Sequence, residues 1–302
     1  MTQTIKFKIL ALLTIILLFG GVILGSSQYF NDLQAIEAEK KSSFLRFEQV
    51  YHSSLLAQVS KLKMAVELIL NDPKTIQNFE EKNREDLANS LVTLFSKRLK
   101  PEFGVYQFQF HLPPATSFLR VHKPAKFGDD LSAFRKTVVQ TNQSQSPTIG
   151  IEVGRAGPGV RVVYPIANEG KHLGSVELGG SLFEALAIAS KIAEVDYSIG
   201  IKTQVFASAK RFAMKEKDIE YQDMLLYYFS SEAANSVSKK LKSTSGQDEI
   251  SVNGKSWALG SIEIKDYSGK VVGKVFLFKD ITANYAQLTK VLLLQGMIII
   301  LA

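Results

Sequence analysis

The chain opens and closes on apolar runs and is amphipathic in between. Lys6 and Lys8 precede Ile9 to Leu24, in which Thr14 is the single polar side chain, and the uncharged stretch continues to Asn31. A helix of about 20 apolar residues crosses a hydrocarbon core of about 30 Å. A transmembrane helix over 1–26 is therefore expected, with its basic flank in the cytoplasm. Val291 to Ala302 follows Lys290 and is apolar except for Gln295. At 1.5 Å per residue this run is too short to cross, so 287–302 is expected to be the start of a second, truncated span. Two alternatives stand beside these. Leu24-Gly25-Ser26-Ser27 also reads as the cleavage site of a signal peptide, and the C-terminal run also reads as a buried helix.

Between the ends the period changes twice. Phe44, Tyr51, Leu55, Val59, Leu62, Val66 and Ile69 recur at helical spacing with polar residues in the gaps. That predicts one long helix over about 27–71, with a seam suited to pairing with a second copy. Asn71-Asp72-Pro73 ends it, because a residue before proline avoids helical geometry. Thr75 to Lys100 reads as one or two amphipathic helices. Val105 to Phe110 then alternates as a strand with one buried face, and Ser117–Val121 reads as a second strand. Asp129-Asp130 before Leu131, Phe134 and Val138 predicts a capped helix. Strands are predicted over Thr148–Val153, Val160–Ile166 and Lys171–Leu178, with glycine-rich turns between them.

Gly170-Lys171-x-x-Gly174-x-Val176-x-Leu178 returns 99 residues later as Gly269-Lys270-x-x-Gly273-x-Val275-x-Leu277. Each copy follows a β-rich run and precedes a helix-like segment. Two related modules in tandem, 72–190 and 191–286, are the simplest account.

Composition narrows the chemistry. The 302 residues hold 46% hydrophobic and 22% charged side chains, a net charge of +7 and no cysteine. This is a packed globular chain without disulfides, thiolate catalysis or Cys-bound metal. His52, His111 and His172 are dispersed, with no metal-site spacing. Gly254-Lys255-Ser256 lacks the earlier glycine of a phosphate-binding loop, since position 249 is Glu. Gly154-x-x-Gly157-x-Gly159 has the wrong order for a dinucleotide fingerprint. No enzyme, cofactor or nucleic-acid partner is expected.

A span, a long helix, two tandem α+β modules with antiparallel sheets and a second span resemble the double Cache (PAS-like) sensors of bacterial transmembrane receptors. The local match is Phe110 to Pro124, then Lys126 to Ser132, Phe134-Arg135, Glu152 to Arg155 and Arg161 to Pro165. The sensor parts of chemoreceptors, diguanylate cyclases and histidine kinases are similar. The resemblance implies that a small extracytoplasmic ligand binds the membrane-distal module and that helix displacement carries the signal across the membrane. Amino-acid-binding members carry an Arg-x-Trp-Tyr constellation. Here the single tryptophan is Trp257, in the second module, so an amino-acid ligand does not carry over.

Arg120 and His122 alternate with Leu119 and Val121 and so share the polar face of a strand. If that face looks inward they suit an anion, since arginine offers a planar donor fork for carboxylate. Arg155 lies in a glycine-rich turn, as a rim residue. Arg161 and Tyr164 lie three apart on the next strand, so one of them is expected at the ligand. Phe110 and Glu177 complete the candidates, with Phe110 equally a core residue and Glu177 equally a surface one. Asp129-Asp130 is read as a helix cap and Glu152 as an arginine partner. The expected function is ligand sensing by a homodimer in the inner membrane, with 27–290 periplasmic. The alternative is a membrane-anchored protein that docks a periplasmic partner and has no small-molecule site.

Overall fold

The computed structural model describes residues 2–209, 211, 216–242 and 247–301. Met1 and Ala302, the extremities of the two expected spans, lie outside the described residues. Helix α1 (Thr2–Leu70) runs unbroken for 69 residues, about 100 Å at 1.5 Å per residue. Among the described residues it is the one helix long and apolar enough to cross a membrane, and its apolar window is not buried. Farther on it lies along the body and buries Phe47, Tyr51, Leu62, Val66 and Ile69. It ends where Asp72 caps α2 (Pro73–Glu80) by accepting from the Lys74 N–H. α3 (Arg84–Leu94) follows, continued by a π-helical turn at Phe95–Leu99 and by α4 (Lys100–Phe103).

The first sheet holds β1 (Val105–Leu112), β2 (Thr116–Arg120), β3 (Thr148–Gly154), β4 (Gly157–Asn168) and β5 (Lys171–Ser181) in the antiparallel order β2-β1-β5-β4-β3. α5 (Lys136–Ser144) stands between β2 and β3 in the chain. The helix predicted from Leu131 thus starts later. The Asp129 carboxylate is drawn to Arg120, and Asp130 folds a local turn onto Ser132. Neither carboxylate is left to cap a helix there.

α6 (Leu182–Ala193) leads to β6 (Asp196–Lys202), α7 (Thr203–Ser208), β7 (Ile219–Tyr221), β8 (Met224–Phe229), α8 (Glu232–Leu241), β9 (Glu249–Val252), β10 (Lys255–Lys265) and β11 (Val271–Asp280). The second sheet has the order β7-β8-β6-β11-β10-β9. Without its extra edge strand β7 this repeats the first sheet, with β11 in the place of β5. The sequence repeat falls on those two strands. A methyl group on Gly174 would strike the His111 carbonyl of β1, and one on Gly273 would strike the Gly200 carbonyl of β6. Both copies need glycine for the same close approach of neighbouring strands.

α9 (Thr282–Leu301) returns antiparallel along α1. Asn284 donates to Glu39 at 2.7 Å, and farther along, Gln295 meets Gly25. Leu292, Leu293 and Met297 are exposed on its outer side, so the C-terminal run is not tucked into the body.

Candidate ligand-binding site

Strand alternation gives the first sheet two unlike faces. Phe108, Phe110, Val160, Val162, Val176 and Leu178 form a core with Leu62, Val66 and Ile69 of α1. On the other face stand Gln109 of β1 and Glu177 of β5, in facing register, and Arg161 of β4, which faces Gly179 two residues along β5. Val163, Val138 of α5 and Leu131 cover part of this polar face with a small apolar cluster. The remainder opens into a cavity of about 320 Å³, roofed by the segment 121–135, by the β3–β4 turn and by Phe183. Arg161 lies over Gly179, where a methyl group would occupy the place of its guanidinium, and beside Gly159, where one would strike the Tyr106 hydroxyl.

The cavity is lined by Arg120, Lys123, Lys126, Arg135, Arg155 and Arg161 against a single acid, Asp129. Arg120 forks onto Asp129 at 2.7 and 2.9 Å and donates to the Lys126 carbonyl. Arg135 is ion-paired with Glu177 and, at 3.1 Å, with Glu152. Glu152 also accepts from the Thr137 N–H at 2.8 Å. Arg161 stands 3.4 Å from Glu177 and donates to the Tyr106 hydroxyl. The guanidinium of Arg155 lies over the Phe134 ring.

Burial and the neighbouring Arg161 pull the Arg135 guanidinium down to about 10, which leaves it charged at neutral pH. Arg120 holds the Asp129 carboxyl below the usual carboxylate range. Burial, assisted by Arg135 and Arg120, pushes His111 well below its ordinary value. His122 is lowered chiefly by burial, although its contact with the Phe108 carbonyl opposes the shift. Both rings are therefore neutral beside a cationic wall.

Four of the sequence candidates, Arg120, His122, Arg155 and Arg161, line this cavity. Glu177 lies beneath it, wholly buried between Arg135 and Arg161. Phe110 sits in the core on the opposite face, 5.6 Å from Phe79 and 5.4 Å from Phe108. Tyr164 is also on that side, its hydroxyl 3.4 Å from Glu67 of α1. Sequence reasoning missed Tyr106, Gln107, Gln109, Arg135 and Phe183. The two glutamines carried a signal, as the polar alternates of the strand that holds Phe108 and Phe110. Arg135, at a loop-to-helix junction, carried no periodic signal and stood out only within the Phe134-Arg135 part of the family match.

The profile of a family described as the double sensory domain of two-component sensor kinase matches residues 41–285. This chain belongs to the double Cache sensor family. Its fold, one long helix and two antiparallel sheets in tandem, is that of the family. No curated protein matches the chain. Among solved structures, the periplasmic domain of Vibrio cholerae LuxQ is 8% identical, with a TM-score of 0.49 over 78% of this chain and 99% of that one. The sensor domain of the V. cholerae histidine kinase DctB is 10% identical, with a TM-score of 0.49 over 82% and 98%. An extracellular ligand binding receptor from Desulfohalobium retbaense DSM5692 is 12% identical, with a TM-score of 0.39 over 77% of this chain. The chain spans 40% of that receptor's length. None of these likenesses assigns a residue or a ligand here.

The two modules of this double Cache chain differ at the site. Phe276, Phe278 and Leu259 stand in the second sheet where Glu177, Gly179 and Arg161 stand in the first. There they pack with Ala234, Val237 and Leu241 of α8 into an apolar cluster. The matching space of the second module is filled by hydrocarbon.

Proposed function

We propose that this chain is the extracytoplasmic sensing part of a receptor anchored in the cytoplasmic membrane, and that a small acidic ligand enters the polar cavity of the first module. An open polar cavity lined by six arginine and lysine side chains and one acid, Asp129, carries this reading. The buried guanidinium groups of Arg120, Arg135 and Arg161 are matched by Asp129, Glu152 and Glu177, so the surplus positive charge comes from Lys123, Lys126 and Arg155, exposed on the cavity's lining, and an anion entering the polar space would meet it.

The displacement that a ligand causes has a path. Phe183 lines the cavity at the start of α6 and meets the Tyr228 ring of β8 at 4.4 Å. α6 packs along α1, the helix that carries the apolar N-terminal segment. A homodimer formed along α1 would receive that movement on both sides. The alternative of a docking protein without a ligand calls for apolar filling around Arg120. The wall there is polar and the space is open.

The test is titration of the full chain in lipid nanodiscs with small mono- and dicarboxylates, followed by thermal unfolding and calorimetry. Ligand at 100 times Kd should add about 2.7 kcal/mol of stability, and Arg161→Ala should abolish the effect. A folded protein that no small acid stabilises, or one whose stabilisation survives Arg161→Ala, overturns the assignment.

A further inference from the structure

We infer that the ligand of this cavity is an anion bearing hydroxyl groups and no ammonium, a hydroxy acid or sugar acid, and not a zwitterionic amino acid. The inference rests on the cavity being the ligand site.

The acids of the site are already used. Asp129 is held at both oxygens by Arg120. Glu177 is taken by Arg135 and Arg161, and Glu152 by Arg135 and the Thr137 N–H. A buried ammonium needs a carboxylate counter-charge. Each of these acids already has a guanidinium as its counter-charge, although one oxygen of Glu152 and one of Glu177 accept no hydrogen bond among the described residues. An entering ammonium would meet Arg120, Arg135 and Arg161, and like charges brought together in a desolvated site are strongly disfavoured.

The same wall asks for hydroxyls. Gln109 is 4% exposed, and its side-chain oxygen has no hydrogen-bond partner among the described residues. The side-chain oxygen of Gln107, on the same strand and face, is likewise buried and unpartnered. Both residues line the cavity. A buried acceptor without a donor keeps its desolvation cost until one arrives. A ligand hydroxyl supplies that donor without bringing a positive charge, while its carboxylate meets the guanidinium groups of Arg161 and Arg120.

Matched pairs that differ only in this group decide the question. Calorimetric titration of the full chain in nanodiscs would compare malate with aspartate, glycerate with serine and lactate with alanine, and would add gluconate, galacturonate and succinate. At least one hydroxy or sugar acid is expected to bind, with the amino member of a pair more than about tenfold weaker. Gln109→Leu should erase the preference for malate over succinate while the circular dichroism and melting temperature hold. An amino acid that binds as tightly as its hydroxy twin, and loses binding in Arg161→Ala, overturns this inference and leaves the cavity as the ligand site. Binding of either class that is indifferent to Arg161→Ala, or no binding by any compound to the folded protein, overturns both.

Discussion

Glu177 and Phe276 stand one repeat apart, 99 residues, at the same place in sibling strands, and they face opposite kinds of interior. Glu177 is wholly buried between two guanidinium groups, and Phe276 is buried 5.5 Å from the Tyr221 ring, in the apolar cluster that also holds Met224, Trp257 and side chains of α8. One scaffold thus carries a polar chamber in one copy and a hydrocarbon core in the other. The first has room for a ligand because charged side chains held apart by their own ion pairs do not collapse as Leu and Phe do.

Removing the Glu177 carboxylate strands the charge of Arg161 and leaves Arg135 with Glu152 alone. Loss of one partner from a buried ion pair costs about 3–5 kcal/mol, so Glu177→Ala should lower the unfolding free energy by that order in urea titration. Arg161→Ala leaves Glu177 its contact with Arg135 and should cost about 1–3 kcal/mol. Equal losses for the two variants would show that Arg161, and not Arg135, is the principal partner of Glu177.

The repeat glycines make a second contrast. Gly174→Ala and Gly273→Ala each force a methyl group onto a neighbouring backbone carbonyl, and each should destabilise by at least about 2 kcal/mol. Gly170→Ala meets open space at φ +78° and should cost only the left-handed strain of about 1–2 kcal/mol. Thermal unfolding of the three variants checks the order. A Gly170→Ala protein as unstable as the other two would remove strand approach as the reason for the repeat.

Much of this fold could be read from periodicity. The stripe from Phe44 to Ile69 marks the buried face of α1, and the alternation from Val105 marks β1, because burial on one side writes a period into the chain. The repeated glycines located equivalent central strands through a backbone contact that only glycine permits. The site was harder to see. Arg120, His122, Arg155 and Arg161 stood out as polar residues on strands and turns. Whether a strand's polar face meets water or a closed chamber depends on what covers it, and the cover is the irregular segment 121–135. Asp129 and Arg135 lie in that segment. Their partners, Arg120 and Glu177, are set by tertiary contact and leave no local pattern, so the Asp-Asp pair looked like a helix cap.

His111 and His122 tie stability to pH. Burial lowers both below the ordinary 6.5, so the unfolded chain binds more protons than the folded one once pH falls below about 6.5. Stability must then fall on acidification, by up to about 1.4 kcal/mol per pH unit for each ring. The loss continues down to the folded-state values. Asp129 acts in a lower window, since its depressed pKa adds stability that is lost only as pH drops below 3.8 toward the folded value. Urea denaturation between pH 7.5 and 5 should show the decline, and His111→Gln should reduce its slope. An unchanged slope in that variant would place the linkage elsewhere.

At the base of the body, Glu249 joins three elements. Its carboxylate accepts from Lys40 of α1 and, at 3.0 and 3.2 Å, lies against the hydroxyl of Tyr285 in α9. Burial alone would lower Lys40, but Glu249 and Glu37 outweigh it and raise its pKa. The ammonium therefore stays charged and holds the edge strand β9 to the incoming helix. Through Tyr285 the same carboxylate holds the outgoing helix. Glu249→Ala breaks both links at once, whereas Tyr285→Phe removes one hydrogen bond worth about 1 kcal/mol. Amide hydrogen exchange over 282–290 should quicken strongly in the first variant and modestly in the second, with the sheet around Val275 unchanged. Exchange in α9 that is as slow in Glu249→Ala as in the parent would mean that Asn284 and Leu288, packed toward α1 and the body, hold the helix without it.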